Sequence, residues 1–454
     1  MDANDRIREL LEGTAERAIR YLEGLSSRSV APSPEAVAAL NSLHGPMPDG
    51  PSSPESVLAA LDTLGSPATM AMAGPRFFGF VVGGSLPAAL AANWLAGAWD
   101  QNSALANVTP GTALLEQIAL EWLIELFGLP PDSAGAFVTG ATMANFCGLA
   151  AARHAVLARA GWNVEADGLF GAPPITVIVS DEAHPSVTKA LGLLGMGRNR
   201  VVRVPVDEQG RMRGEALPPI AGPTIVCMQA GNVNTGAFDP LASVCDAAHE
   251  AGAWVHVDGA FGIWAAAVDG LRELTHGIAR ADSWATDAHK WLNVPYDSGL
   301  AIVRDRDALK AAMAVSAEYL PSESEGRNPS DFTPEFSRRA RGVEIWAALQ
   351  SLGRSGVADL IERTCRHARR FAQGFRAAGY SILNDVVLNQ VLVSFGDART
   401  TERVIEEIQA DGTTWCGRTH WQGHTAMRIS VSCWATEESD VEKSLEAMLR
   451  IAGR

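Results

Sequence analysis

The chain is poor in tyrosine, in paired cysteines and in unbroken apolar sequence, and each shortage narrows what it can be. Only four tyrosines occur among 454 residues, so a reacting phenol has few places to come from. The six cysteines (Cys147, Cys227, Cys245, Cys365, Cys416 and Cys433) form no CxxC pair. Four lie in apolar or helix-like runs, and reduced thiols in a cytoplasmic protein are the simplest account. The most apolar stretch, residues 70–99, is interrupted by Pro75, Arg76, Pro87 and Asn93, which makes it too broken for a membrane span. The first ten residues include Asp2, Asp5, Arg6, Arg8 and Glu9 and do not read as a secretion signal, so the Asn107-Val108-Thr109 sequon carries no weight. Basic residues are outnumbered, 37 against 52 acidic, for a net charge of −15. That balance argues against nucleic acid or an anionic membrane as the main partner. There is no internal repeat, no GxGxxG and no Walker lysine, so nucleotide binding is not supported.

What is present is an alternation of strand-like and helix-like segments. Ile7, Leu11, Ala15, Ala18, Leu22 and Leu25 recur at helical spacing, and a proline-rich stretch, residues 26–54, follows as loop with short helices. A helix is expected over residues 110–127, opened by Thr109-Pro110 and closed by Gly128. Candidate strands are 136–139, 175–180, 201–204, 224–229, 253–257, 282–286 and 299–303. Several are continuous Val/Ile runs, the pattern of a sheet buried on both faces, and helices between them predict a mostly parallel α/β sheet. Helices near 343–352 and 357–378, strands 391–395 and 427–432 and a final helix predict a small α+β lobe.

The chemistry-bearing residues fall at strand ends. Asp258 ends one strand-like run, and Lys290 follows another 32 residues later in Thr286-Asp287-Ala288-His289-Lys290-Trp291. Alone, each is an ordinary strand-end acid or surface lysine. Together they match what pyridoxal 5'-phosphate requires: an amine to form a Schiff base and a carboxylate to pair with the pyridine nitrogen, keeping the ring an electron sink. Gly140, Ala141 and Thr142 make a strand-to-helix turn able to hold phosphate on backbone amides. His184 follows the second strand, where an imidazole can stack on a flat ring, and Asn232 follows the fourth. Ligands of open α/β sheets bind at this carboxyl edge. Cys416, His420 and His424 lack the spacing of a zinc helix, and Gly417 and Gly423 predict a polar turn there, so no metal is expected.

The ordered blocks TGATMAN, DEAHPSVTKA, GNVNTGAFDP, WVHVDGAFG, TDAHKW and FSRRARGVEIWAALQSLG resemble the pyridoxal-phosphate group II amino-acid decarboxylases, which include the aromatic amino-acid, tyrosine and glutamate enzymes. The resemblance implies an aspartate-aminotransferase-like fold (fold type I) with a seven-stranded, mostly parallel sheet. Implied domains are an N-terminal wrapping segment (1–75), a cofactor-binding domain (76–320), and a mobile loop with a small C-terminal domain (321–454). It also implies a homodimer with active sites at the interface. Carried over by motif, Lys290 is the Schiff-base lysine, Asp258 the pyridinium partner and His184 the stacking residue. Ala141, Thr142 and His289 lie at the phosphate, and Asn232 and Ala260 lie around the ring. Arg338, Arg339 and Arg341 are an active-site or domain-interface anchor.

Two departures stand out. Asp287 occupies a place where the family's decarboxylases usually have Asn, and related carbon–carbon lyases carry Asp there. In the loop where those decarboxylases place a proton-donating tyrosine the nearest match is Phe332, with Tyr319 as a possible substitute; related aldehyde synthases carry phenylalanine at that place. Phe78 and Trp99 are candidates for the substrate pocket. The expected activity is decarboxylation of an L-amino acid, aromatic by this reading, with oxidative deamination to an aldehyde or carbon–carbon cleavage of a β-hydroxy amine as alternatives.

Overall fold

In the computed structural model, residues 3–315 and 326–453 are described. Helix α1 (Ala3–Gly24) is amphipathic, yet Ile7, Leu11, Ile19 and Leu22 on it stay exposed. The proline-rich stretch forms short helices at Pro34–Ala39 and Pro54–Ala60. Ser33 and Ser53 cap them by accepting from the Ala36 and Ser56 amides, and proline fills the first turn of each.

Helices α2 (Pro87–Trp99) and α3 (Pro110–Leu126) lead into strand β1 (Ala134–Val138) and the long helix α4 (Ala141–Arg159). Then come β2 (Thr176–Ser180), α5 (Pro185–Leu193), β3 (Val201–Val204), β4 (Thr224–Gln229), α6 (Leu241–Glu250), β5 (Trp254–Asp258), β6 (Ser283–Asp287) and β7 (Gly299–Val303). These seven strands form one sheet in the order β1-β7-β6-β5-β4-β2-β3, with β7 alone running against its neighbours. Strands β1, β4, β5, β6 and β7 are buried along their whole length, as their continuous apolar runs predict. Four parallel pairings, with β7 reversed between β6 and β1, bring the carboxyl ends of β1, β2, β4, β5 and β6 to one edge.

A 36-residue helix, α7 (Gly342–Ala377), opens the small lobe and breaks at Gly353, whose φ of 60° and ψ of −179° divide it into the two helices expected from sequence. Strands β8 (Ser381–Ile382) and β9 (Gln390–Ser394), helix α8 (Ala398–Asp411), strands β10 (Gly417–Trp421) and β11 (His424–Ser430), and helix α9 (Glu438–Ala452) complete it. The strands form an antiparallel sheet in the order β10-β11-β9-β8.

Several expectations are corrected here. Phe78 is wholly buried in the small-lobe core, edge-on to Phe371 at 5.1 Å between ring centres, so it packs the lobe and does not face a substrate. The segment read as a polar turn is the β10–β11 hairpin, with Gly423 (φ 84°) at its tip; Cys416 is buried while His420 and His424 are exposed, so they do not converge. Phe332 is 1% exposed beneath the Arg327 and Arg306 guanidinium groups, 4.5 and 5.4 Å from its ring centre. It is a packing residue, because its ring is enclosed by the α4 side of the core and two cations. Tyr319 lies outside the described residues. Arg338 is an anchor: buried, it donates to Glu116 Oε2 (2.6 Å) and to the Ser103 and Phe137 carbonyls (2.8 and 2.9 Å). Among the described residues no helix is long and apolar enough to cross a membrane.

Candidate active site

A cleft of roughly 350 Å³ opens at the carboxyl edge of the large sheet. Its lining brings together Gly140, Ala141, Thr142, His184, Asp258, Ala260, Asp287, His289 and Lys290. Residues from four separate sequence blocks therefore meet at one place. Asn232 does not join them: its side-chain oxygen accepts from the Asn234 and Thr235 amides (2.8 and 3.2 Å) and closes the turn after β4. That turn needs the side chain as an acceptor and holds it away from the cleft. Trp99, at the end of α2, is 44% exposed and is not part of the lining.

Gly140 is extended (φ 163°) rather than left-handed, and its value is close approach. A Cβ on neighbouring Gly299 would come within 2.4 Å of Gly140 Cα, so the two glycines let β7 lie against the start of α4.

Asp258 is 4% exposed and receives donors on both oxygens. Asn145 Nδ2 and Ser186 Oγ lie 3.1 and 3.3 Å from Oδ2, and the Ala260 amide donates to Oδ1 at 3.1 Å. Behind Asn145 runs a chain with fixed polarity. Trp254 Nε1 can only donate, and it does so to Ser283 Oγ (2.9 Å). Ser283 then donates to His256 Nδ1 (2.8 Å), His256 Nε2 donates to Asn145 Oδ1 (2.9 Å), and Asn145 turns its amide protons to Asp258. Burial holds the His256 imidazole down to about 4, so the ring is neutral and can fill both roles.

His184 Nδ1 accepts from the Ser186 amide (3.2 Å) and lies 2.7 Å from Ser186 Oγ. Burial lowers its pKa against the opposing pull of Asp258, and Lys290 and Arg428 lower it further. His289 is likewise lowered, first by burial; its Nδ1 accepts from the Ser298 amide (3.0 Å) and its ring stacks on Tyr296 at 4.2 Å. Lys290 Nζ is 2.9 Å from Asp287 Oδ2.

Asn145, Ser186, Gln229, His256, Tyr296 and Arg428 were not singled out from sequence. His256 was recoverable, since two residues before Asp258 in a strand is the same face. Asn145 lies one helical turn beyond Ala141 in the same block.

This donor set fits a flat aldehyde cofactor with a protonated ring nitrogen and an anionic tail: an acceptor presented by neutral donors, a lysine, and a helix start. A family model described as the pyridoxal-dependent decarboxylase conserved domain matches residues 39–396. The chain belongs to this family.

The decarboxylase is 25% identical over 470 residues to aromatic-L-amino-acid decarboxylase of Bacillus atrophaeus, covering 98% of this chain and 95% of the relative. To acidic amino acid decarboxylase GADL1 of Mus musculus it is 32% identical over 302 residues, covering 64% of this chain and 54% of the relative. Among solved structures, Oryza sativa TDC with PLP and tryptamine matches at a TM-score of 0.91 and 23% identity, over 100% of this chain and 98% of that one. Mouse CSAD matches at 0.91 and 23%, over 99% of each. These likenesses establish the fold as fold type I. The decarboxylase is a carboxy-lyase with pyridoxal phosphate as its cofactor.

Proposed function

We propose that the decarboxylase converts an aromatic L-amino acid to its amine and CO₂. The observation that carries this reading is the cleft wall. Phe261 and Tyr296 line it, and among the described residues no arginine does, so an aromatic side chain is better matched than a carboxylate. The relative that covers 98% of the chain acts on aromatic amino acids by its name, which supports the same choice.

When bound, the cofactor supplies an electron sink for the charge left at the substrate α-carbon as CO₂ departs. Lys290 would hold its aldehyde, Asp258 its ring nitrogen, His184 its face, and the Ala141 and Thr142 end of α4 its phosphate. The Trp254–Ser283–His256–Asn145 chain keeps the acceptor Asp258 aimed and supplied with donors. His184, neutral through burial, is a flat apolar surface with a proton to exchange.

The molecule works as a dimer in this reading. Leu11, Ile19, Leu61, Phe80, Trp94 and Val108 are exposed along the N-terminal region, an apolar surface that a second copy would cover. An acidic substrate is the second reading. Half-buried Arg428, on β11, is close enough to lower His184 and is itself brought down to about 10 by burial. The test is CO₂ release from tryptophan, tyrosine, phenylalanine, glutamate, aspartate and 2,4-diaminobutyrate, with amine, aldehyde and peroxide quantified. Turnover led by an aromatic substrate with amine as product is the expected result. A lead for glutamate or aspartate replaces it with the acidic reading, aldehyde and peroxide released with CO₂ replace the amine with oxidative deamination, and aldehyde release without CO₂ from an added β-hydroxy amine replaces it with a carbon–carbon lyase.

A further inference from the structure

Helix α4 has no cap of its own, because Gly140 at its start carries no side chain. Asp287 supplies one from across the sheet edge. Its Oδ1 accepts the Ala141 amide at 2.5 Å, and the carboxylate is 3% exposed. The positive end of the helix favours this anion, and Lys290 (2.9 Å from Oδ2) and His289 (3.4 Å from Oδ1) complete its surroundings. Those same groups, the Ala141 amide and the Lys290 amine, are the ones the cofactor's phosphate and aldehyde would use.

We propose that Asp287 is an internal competitor for the cofactor's phosphate. The phosphate gains the Ala141 amide only as the carboxylate gives it up, and the two like charges then share one short stretch of helix terminus. Asparagine here would offer an amide donor and no charge. The phosphate therefore adds little to cofactor affinity in this decarboxylase, and its grip falls on Lys290, Asp258 and the ring contacts. The inference rests on the assignment of the Ala141–Thr142 end of α4 to the phosphate.

The experiment uses the full chain stripped of cofactor, with binding of pyridoxal phosphate and of pyridoxal read from quenching of tryptophan fluorescence. Removing the like charge beside the phosphate relieves this repulsion, so Asp287→Asn is expected to tighten pyridoxal phosphate about tenfold or more while pyridoxal moves by less than about threefold. An unchanged or weaker affinity for pyridoxal phosphate, or an equal gain for both ligands, overturns the proposal. The wild type gives a second reading that needs no variant: pyridoxal should bind less than about a hundredfold more weakly than pyridoxal phosphate, and a larger gap means an unopposed phosphate cup. Borohydride trapping in Lys290→Ala separates the two levels. A variant that still traps cofactor removes the site assignment itself, whereas loss of trapping with no effect of Asp287→Asn removes only the competitor.

Discussion

Asp258 and Asp287 end adjacent parallel strands, both nearly inaccessible to water, and their surroundings are opposite. Asp258 is met by neutral donors alone: an amide side chain, a hydroxyl and a backbone N–H. Asp287 is met by a helix terminus, a lysine and a histidine. One carboxylate is presented outward as an acceptor for something else, and the other is consumed by contacts within the chain. Residue type and strand position are the same, so the difference comes from what neighbouring helices bring. Helix α4 serves both, giving Asn145 to Asp258 from its second turn and its bare first amide to Asp287.

The largest effect expected from breaking this contrast is at Asp258. Asp258→Asn replaces the acceptor with a group that cannot hold a protonated ring nitrogen, and kcat should fall by roughly a hundredfold or more with cofactor still bound. Equal losses of cofactor and turnover would make Asp258 a binding residue only. The donor chain behind it is worth less. His256→Asn should lower kcat by about fivefold to tenfold, the value of one hydrogen bond, with KM little changed.

His256 also leaves a mark on stability. Its pKa in the fold, about 4, lies below the ordinary 6.5, so the unfolded chain binds the proton more readily. Stability from this residue is complete above pH 6.5 and is lost as pH falls toward 4, at up to about 1.4 kcal/mol per pH unit. Denaturant titrations of wild type and His256→Asn across that window should differ in slope, and parallel lines would mean that the ring is not held neutral. The smallest effect is expected at the other carboxylate. Asp287→Asn should cost about 1 kcal/mol in the cofactor-free protein through the weakened α4 cap, seen as a small drop in Tm. A rise in Tm without cofactor would show that the buried charge is a burden on the fold.

Much of this was legible in the sequence, for local reasons. Several of the seven strands announce themselves as continuous Val/Ile runs, and Asp258 and Lys290 stand at or just beyond the ends of two strands. Gly353 marks the break in α7 because the residues on either side keep helical periodicity. Direction across loops was not legible. Asn232 sits in the expected place after β4, but its own turn captures the side chain. Phe78 and Phe332 follow the family's order, yet which core each enters depends on Phe371, Arg306 and Arg327, none of them adjacent in sequence. Asp287 stands out in the sequence as a departure, while its partner, the Ala141 amide 146 residues away, exists only in the fold.

On the proposed assignment, Lys290 carries the cofactor between these two carboxylates. The chain has four lysines, Lys189, Lys290, Lys310 and Lys443, so the site of attachment can be read without ambiguity. Borohydride reduction of the cofactor-loaded protein, digestion and mass spectrometry should place the phosphopyridoxyl group on the peptide that contains Lys290. Stoichiometric label on Lys189, Lys310 or Lys443, with Lys290 unmodified, would contradict the account.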